Sequence, residues 1–178
     1  MLMSKPTDEI PWPDQIFDVL KASGISLVSY LPDAGHSVAI RRAIADPEIQ
    51  AVSLTTEEEG VAVNAGAWLG GRRSVLLMQS SGVGNCINML SLVKACRFPF
   101  FTIVTMRGES AEFNPWQVPM GLATGKALEL MDVHTLRADR PDEVADVVQT
   151  GVGLAYGAGI ANAVLLSQRL IGAKDWSK

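Results

Sequence analysis

The sequence predicts an α/β fold: a doubly wound parallel six-stranded sheet with helices on both faces, formed by a single domain over residues 1–178. Three observations predict it. Helix-like and strand-like segments alternate along the whole chain. The strand segments are continuous apolar runs, the pattern of strands buried on both faces. No internal repeat or linker-like stretch interrupts the alternation.

Each element has a local reason. "DQIFDVLKAS" places Ile16, Val19 and Leu20 on one helical face and runs out near Gly24. "ISLVSYL" reads as a buried strand closed by the turn "PDAG". "HSVAIRRAIAD" reads as a helix and "EIQAVSL" as the second strand. A helix from about Thr56 to Leu69 follows and stops at Gly70-Gly71. "SVLLMQ" is the third strand, and "SSGVGN" a glycine turn into the helix "CINMLSLVKAC". "PFFTIVTM" is the fourth strand, and the long loop "RGESAEFNPWQVP" leads into the helix "MGLATGKALELM". After the fifth strand, "VHTLRA", Asp139 and Pro141 open the helix "PDEVADVVQTGVGLAYG". "NAVLLS" is the sixth strand and "AKDWSK" a polar tail. Residues 1–10 and 172–178 are expected to be flexible ends.

Composition narrows the function. With 48% hydrophobic and 19% charged residues the chain is globular rather than disordered. A net charge of −4 and a pI near 5.1 argue against nucleic acid as the main partner. A polyanionic cofactor stays open, because backbone amides can hold phosphate without a basic patch. Cys86 and Cys96 read as buried free thiols, and no Cys/His pattern suggests zinc. The N-terminal stretch has no apolar core of signal-peptide length, and the apolar runs are too short to span a bilayer. A soluble, cytoplasmic protein with no membrane partner is expected.

In a sheet of this kind, ligands sit at the carboxyl ends of the strands. Four chemistry-rich segments fall there: "PDAGHS", "TTEEEG", "QSSGVGN" and "RGESAEFNPWQ". Glu57, Glu58 and Glu59 have an ordinary reading as an acidic first helical turn. Thr55 or Thr56 can cap it, with Glu58 or Glu59 completing a capping box, and each acid there is worth ~0.3–1 kcal/mol. A third glutamate adds repulsion for little gain, which leaves room for another role. Behind them Gly60, Ala62, Ala65, Gly66 and Ala67 are small, so another backbone, a flat ligand or the sheet itself can come close. Gly82 and Gly84 flank Val83 in a weak glycine signal. It is neither a Walker loop, since no Gly-Lys-Ser/Thr follows, nor the dinucleotide fingerprint, since position 87 is Ile. The polar loop holding Arg107, Glu109, Glu112, Asn114, Trp116 and Gln117 fits a substrate contact or an oligomer contact equally. From the residues alone, His36 and His134 read as caps or surface residues, and no serine has recognisable triad partners.

The run from "TTEEEGVAVNAGAWLGGRRSVLLMQSSGVGN" through "FPFFTIVTMRGE" resembles the pyrimidine-binding (Pyr) domain of thiamine-diphosphate enzymes. In that family a glutamate ends the second strand and opens a small-residue helix with a glycine further along it. A strand, an "SGxGxxN"-like turn, a helix and a strand beginning at proline follow. Here Glu57 stands nine residues before Gly66, "SSGVGNCIN" supplies the turn, and "FPFFTIVT" the next strand. The likeness covers at least residues 25–135. More narrowly, "EEEGVAVNAGAWL", "LLMQSSGVGN", "RGE" and "VPMG" are similar to sulfopyruvate decarboxylase alpha subunits and to the N-terminal half of phosphonopyruvate decarboxylases. Ala67-Trp68 departs from the common Gly-Tyr continuation, and Val83 stands where many members have proline. The GDG motif of the family's diphosphate-binding half is missing.

The resemblance implies half of an active site, in a subunit of a 2-oxo acid decarboxylase, a carbon–carbon lyase. Glu57 is then catalytic, hydrogen-bonding the pyrimidine N1′ of thiamine diphosphate. Gln79, Ser80, Gly82 and Asn85 border the cofactor with it. Asp33, His36 and Gln117 are candidate substrate contacts, and Arg107 a candidate cation for the far end of the substrate. This chain supplies no metal ligand. A separate beta subunit holds the diphosphate and Mg2+, and the cofactor lies at the interface. Self-association as a Pyr-domain dimer is also implied. A one-residue shift of the helix start would exchange Glu57 for Glu58. A non-catalytic nucleotide- or partner-binding module, or a flavodoxin-like binder, remains an alternative on the same fold. The choice of 2-oxo acid, and of aldehyde or carboligation product, also stays open.

Overall fold

Six parallel strands carry the molecule: β1 (Ile25–Tyr30), β2 (Gln50–Ser53), β3 (Arg73–Gln79), β4 (Phe101–Thr105), β5 (His134–Ala138) and β6 (Asn162–Leu166). They form one sheet in the order β2-β1-β3-β4-β6-β5, every neighbouring pair parallel. The computed structural model describes residues 10–110 and 112–172. The polar tail, and nearly all of both expected flexible ends, lie outside the described residues.

Alternation along the strands explains the unbroken apolar runs. Val75, Leu77, Phe101, Ile103, Val164 and Leu166 point to one face of the sheet, and Leu76, Met78, Val104, Ala163 and Leu165 to the other. The first face is covered by α1 (Trp12–Ala22), α2 (Ser37–Ala45) and α6 (Val144–Ala158), through Ile16, Leu20, Ala39, Ala43, Val148 and Val152. The second is covered by α3 (Glu57–Leu69), α4 (Ser80–Cys96) and α5 (Val118–Leu130), through Val61, Leu90 and Leu128. The short β2 and β5 are the sheet's edges and its least buried strands. Among the described residues no helix is long and apolar enough to cross a membrane.

The chain steps outward from β1 to β2, then returns to lay β3 against the other side of β1. Such a reversal opens a crevice at the carboxyl ends of the two strands. β1 and β3 deliver the segments after Tyr30 and after Gln79 to it.

Several local readings differ from the structure. The glycines of "SSGVGN" do not form a turn: α4 begins at Ser80 and takes Gly82 and Gly84 into its first turns. A 3₁₀ turn, Ala34–His36, precedes α2, and the Asp33 side chain accepts the N–H of Gly35 within it. A second one, Pro115–Gln117, lets α5 start at Val118. A short additional helix, α7 (Gln168–Ile171), follows β6. Cys86 is buried as expected, but Cys96 is exposed, because it ends α4 beyond its buried stripe.

Phe101 anchors the layer beneath α6. It is fully buried, and a side chain at Gly151 would run into its ring. Phe101→Ala should destabilise the fold by about 3–5 kcal/mol through lost burial and a residual cavity. Urea unfolding with an unchanged m-value tests this, and a loss under about 1 kcal/mol would contradict it.

Candidate active site

The three glutamates are separated by the helix they start. Buried residues of α3 recur at Glu57, Gly60, Val61, Asn64 and Ala67, the three-to-four spacing of one helical face. Glu57 heads that stripe and is only 7% exposed, whereas Glu58 and Glu59 point to solvent. Glu59 caps the helix: its Oε2 accepts hydrogen bonds from the backbone N–H of Thr55 (2.8 Å) and Thr56 (3.4 Å).

Glu57 meets the first turns of α4. Asn85 Nδ2 donates to Glu57 Oε2 at 2.8 Å. Oε1 has no hydrogen-bond partner among the described residues. A Cβ at position 82 would collide with the Glu57 carboxyl, so glycine here leaves the carboxyl its place between the two helices. Gly60 is small for a different reason: a side chain there would strike Leu76 and Leu54, so it serves helix–sheet packing, while Gly66 faces open space. One turn beyond Gly82, burial pushes the Cys86 thiol up to about 12, helped by the Glu57 and Glu58 charges. It is an inert, protonated thiol.

A second carboxylate, Asp33, follows β1. It accepts from Gln79 Nε2 (3.2 Å), Thr105 Oγ1 (2.9 Å) and the Gly35 N–H (2.9 Å). Burial alone would raise its pKa, but the nearby His36 and these three donors outweigh it and hold Asp33 below the usual carboxylate value. His36 itself is fully buried, and burial lowers its imidazole pKa.

Gln79 joins the two regions. Its Nε2 serves Asp33, and its Oε1 accepts from Ser81 Oγ at 2.9 Å. Ser80 is buried, its Oγ accepting the Arg107 N–H at 3.1 Å. Asp33, Gly35, Ser37, Thr105 and Arg107 line a cleft of about 240 Å³ together with Trp12.

Of the residues expected from the sequence, the structure brings Glu57, Gly82 and Asn85 into one cluster. It brings Asp33 and Gln79 into a second, and Ser80 follows Gln79 at the start of α4. His36 lies beneath the Asp33 turn, its Nε2 3.2 Å from the Met78 carbonyl oxygen, and does not line the cleft. Gln117 belongs to neither cluster, its main chain packing on Gly108. Thr105 was missed by sequence reasoning; a hydroxyl at the carboxyl end of a central strand was the available signal.

Arg107 is not free to meet a substrate anion. Its Nε and Nη2 donate to Glu112 Oε2 and Oε1, each at 2.6 Å, in a pair whose side chains are 9% and 3% exposed. Glu112 also accepts from the Gly108 and Asn114 N–H groups and from Gln168 Nε2. Gln168 Oε1 in turn accepts the Glu109 and Ser110 N–H groups, so α7 clasps the loop after β4. Among the described residues no group of three His, Cys, Asp or Glu side chains is placed to hold a metal ion.

The sulfopyruvate decarboxylase alpha subunit of Methanococcus maripaludis is 35% identical over 154 residues, which is 86% of this chain and 92% of that subunit. This chain belongs to the sulfopyruvate decarboxylase alpha-subunit family. The alpha subunit of Methanothermobacter thermautotrophicus is 34% identical, covering 86% of this chain and 93% of its own. The family's likeness extends to the phosphonopyruvate decarboxylase of Streptomyces viridochromogenes, 38% identical over 128 residues, 70% of this chain but 32% of that enzyme. No protein-family model matches the chain. Two solved structures share its fold at 16% identity. One is the 2-oxoglutarate:ferredoxin oxidoreductase of Magnetococcus marinus (TM-score 0.73, covering 91% of this chain and 29% of that one). The other is a candidate thiamin diphosphate-dependent enzyme from Mycobacterium smegmatis (TM-score 0.70, covering 90% and 31%). The fold of this family member is therefore the Pyr-domain fold of thiamine-diphosphate enzymes.

The Arg107–Glu112 pair gives a pH signature. Chiefly through Arg107, the Glu112 carboxyl is held at about 2, against an ordinary value of 4.5. A depressed folded-state value adds stability above the ordinary value and loses it as pH falls toward the folded one. Glu112→Gln should therefore be less stable than wild type above about pH 5, with the gap closing between about pH 4.5 and about pH 2. Urea unfolding across that range measures it; a gap independent of pH contradicts it.

Proposed function

We propose that this chain is the pyrimidine-binding alpha subunit of a thiamine-diphosphate-dependent 2-oxo acid decarboxylase that works with a separate diphosphate-binding subunit. One observation carries the reading. Glu57 is a buried carboxylate with one oxygen fixed by Asn85, the other without a partner, and a glycine where any side chain would collide with the carboxyl. That arrangement fits a flat heteroaromatic ring with a nitrogen to be hydrogen-bonded. When bound, thiamine diphosphate supplies the electron sink for breaking the carbon–carbon bond of a 2-oxo acid.

The residues of this chain divide the remaining work. Glu57 Oε1 holds the pyrimidine N1′ and governs its proton. Asn85 sets the rotation of the carboxyl, so the free oxygen is presented rather than sampled. The low exposure of Glu57 strengthens that bond relative to water. Gly82 makes room for the Glu57 carboxyl and, with Gln79 and Ser80, borders the ring. Asp33, oriented by Gln79, Thr105 and Gly35, is an acceptor at the substrate side of the crevice. His36 supports the Asp33 turn from beneath, and Gln117 is assigned to contacts made after assembly.

The diphosphate and Mg2+ are assigned to the companion subunit, because this sequence has no GDG motif. Recognition of the far anionic end of the substrate is assigned there too, since Arg107 is committed to Glu112. A Pyr-domain dimer with two companions is the smallest symmetric unit for such a shared site. The assembled enzyme is placed in the cytoplasm.

Glu57→Gln, in the complex with its companion, should lower kcat by about 100-fold or more, the scale on which a positioned proton-transfer group acts. Circular dichroism should stay unchanged. Near-normal turnover of a 2-oxo acid with tight cofactor binding would overturn the assignment.

A further inference from the structure

An open apolar groove of about 760 Å³ runs along one side of α5, lined by Pro115, Trp116, Pro119, Met120 and Ala123. Trp116 is 84% exposed. An indole left so open costs apolar hydration that a partner would recover. Its turn is braced: Asn114 Oδ1 accepts the Trp116 N–H at 3.1 Å, and Pro115 precedes it. A side chain presented on a fixed turn loses little freedom on binding.

The groove adjoins the Glu57 cluster. A Cβ on Gly84 would lie 3.2 Å from Met120 Sδ, so Met120 walls the groove on one side and covers the first turns of α4 on the other. The residue after Gly84 is Asn85, which holds Glu57. Thr124 Oγ1 donates to the Met120 carbonyl at 2.6 Å and lies 3.4 Å from that of Ser80, tying the groove helix to the start of α4.

Relatives indicate what sits there. The chain covers 92% of the Methanococcus maripaludis alpha subunit. It covers only 32% of the Streptomyces viridochromogenes phosphonopyruvate decarboxylase and 30% of the Methanosarcina acetivorans sulfopyruvate decarboxylase. In those two enzymes the stretch like this chain is covalently joined to further chain that makes up most of the enzyme. The Methanococcus maripaludis and Methanothermobacter thermautotrophicus relatives are alpha subunits, a description that implies a further subunit as a separate chain.

We infer that the Trp116–Met120 groove seats this companion chain, and that seating it closes the crevice at Glu57. The inference rests on the decarboxylase-subunit reading above. The lining is aromatic, prolyl and aliphatic, so the companion's contact segment is apolar, with Trp116 as the anchor it packs on.

The test uses the full chain and the companion subunit, defined as the protein homologous to the remainder of the fused relatives. Affinity is read by sedimentation, and burial of Trp116 by the fluorescence difference between wild type and Trp116→Phe. Trp116→Ala and Ala123→Glu should each weaken the complex by about 10-fold or more. Their unfolding midpoints should match wild type, and the Trp116 emission should shift to the blue on mixing. Unchanged companion affinity in both variants overturns the inference. So does the finding that the groove joins two copies of this chain, seen as Ala123→Glu turning a self-associated form monomeric while the companion still binds. A wild-type complex that assembles through the groove yet decarboxylates no 2-oxo acid would instead fail the functional reading and leave the groove assignment standing.

Discussion

The hydrogen bond from Asn85 to Glu57 joins the first turns of two helices, one following β2 and the other β3. Burying a carboxylate is costly unless donors meet it. Here the cost is met by the amino end of α3, by Asn85, and by the remaining 7% of exposure. The rest of the crevice is arranged around this contact. Gly82 must lack a side chain to leave the Glu57 carboxyl its place, and Gly60 must lack one for α3 to lie low on the sheet. Cys86, one turn along α4, is held protonated partly by the same charge.

Two carboxylates that follow neighbouring strands are treated differently. Asp33 receives a side-chain amide, a hydroxyl and a backbone N–H. Glu57 receives one donor and keeps one oxygen open. Three donors hold Asp33 in one orientation, whereas Glu57 keeps an oxygen available to a ligand. The nearby cation does not join in: Arg107 is neutralised within its own loop, which α7 holds closed through Gln168.

Much of this was legible in the sequence. Continuous apolar runs gave the four inner strands, because a strand buried on both faces cannot alternate, while the edge strands β2 and β5 are less buried. The family resemblance, with Glu57 nine residues before Gly66, singled out Glu57, and the structure shows it heading the buried face of α3. Other features depend on partners far away in the chain. Gly82 looks like a turn residue after a strand, yet it is glycine because Glu57 lies against it within a helix. The ion pair of Arg107 is local, but its burial depends on Gln168 after the last strand. Asp33 and Thr105 meet only once β1 and β4 flank β3. Cys96 is exposed because α4 outruns the layer beneath it, and its length is not encoded near that residue.

The central claim is that Glu57, and neither Glu58 nor Glu59, presents its free oxygen to the cofactor. The most direct measurement is a crystal structure of this chain with its companion subunit, thiamine diphosphate and Mg2+. The account predicts Glu57 Oε1 at hydrogen-bonding distance from the pyrimidine N1′, with Oε2 still held by Asn85. A cofactor bound away from Glu57, or one whose pyrimidine nitrogen is met by Glu58, would contradict it.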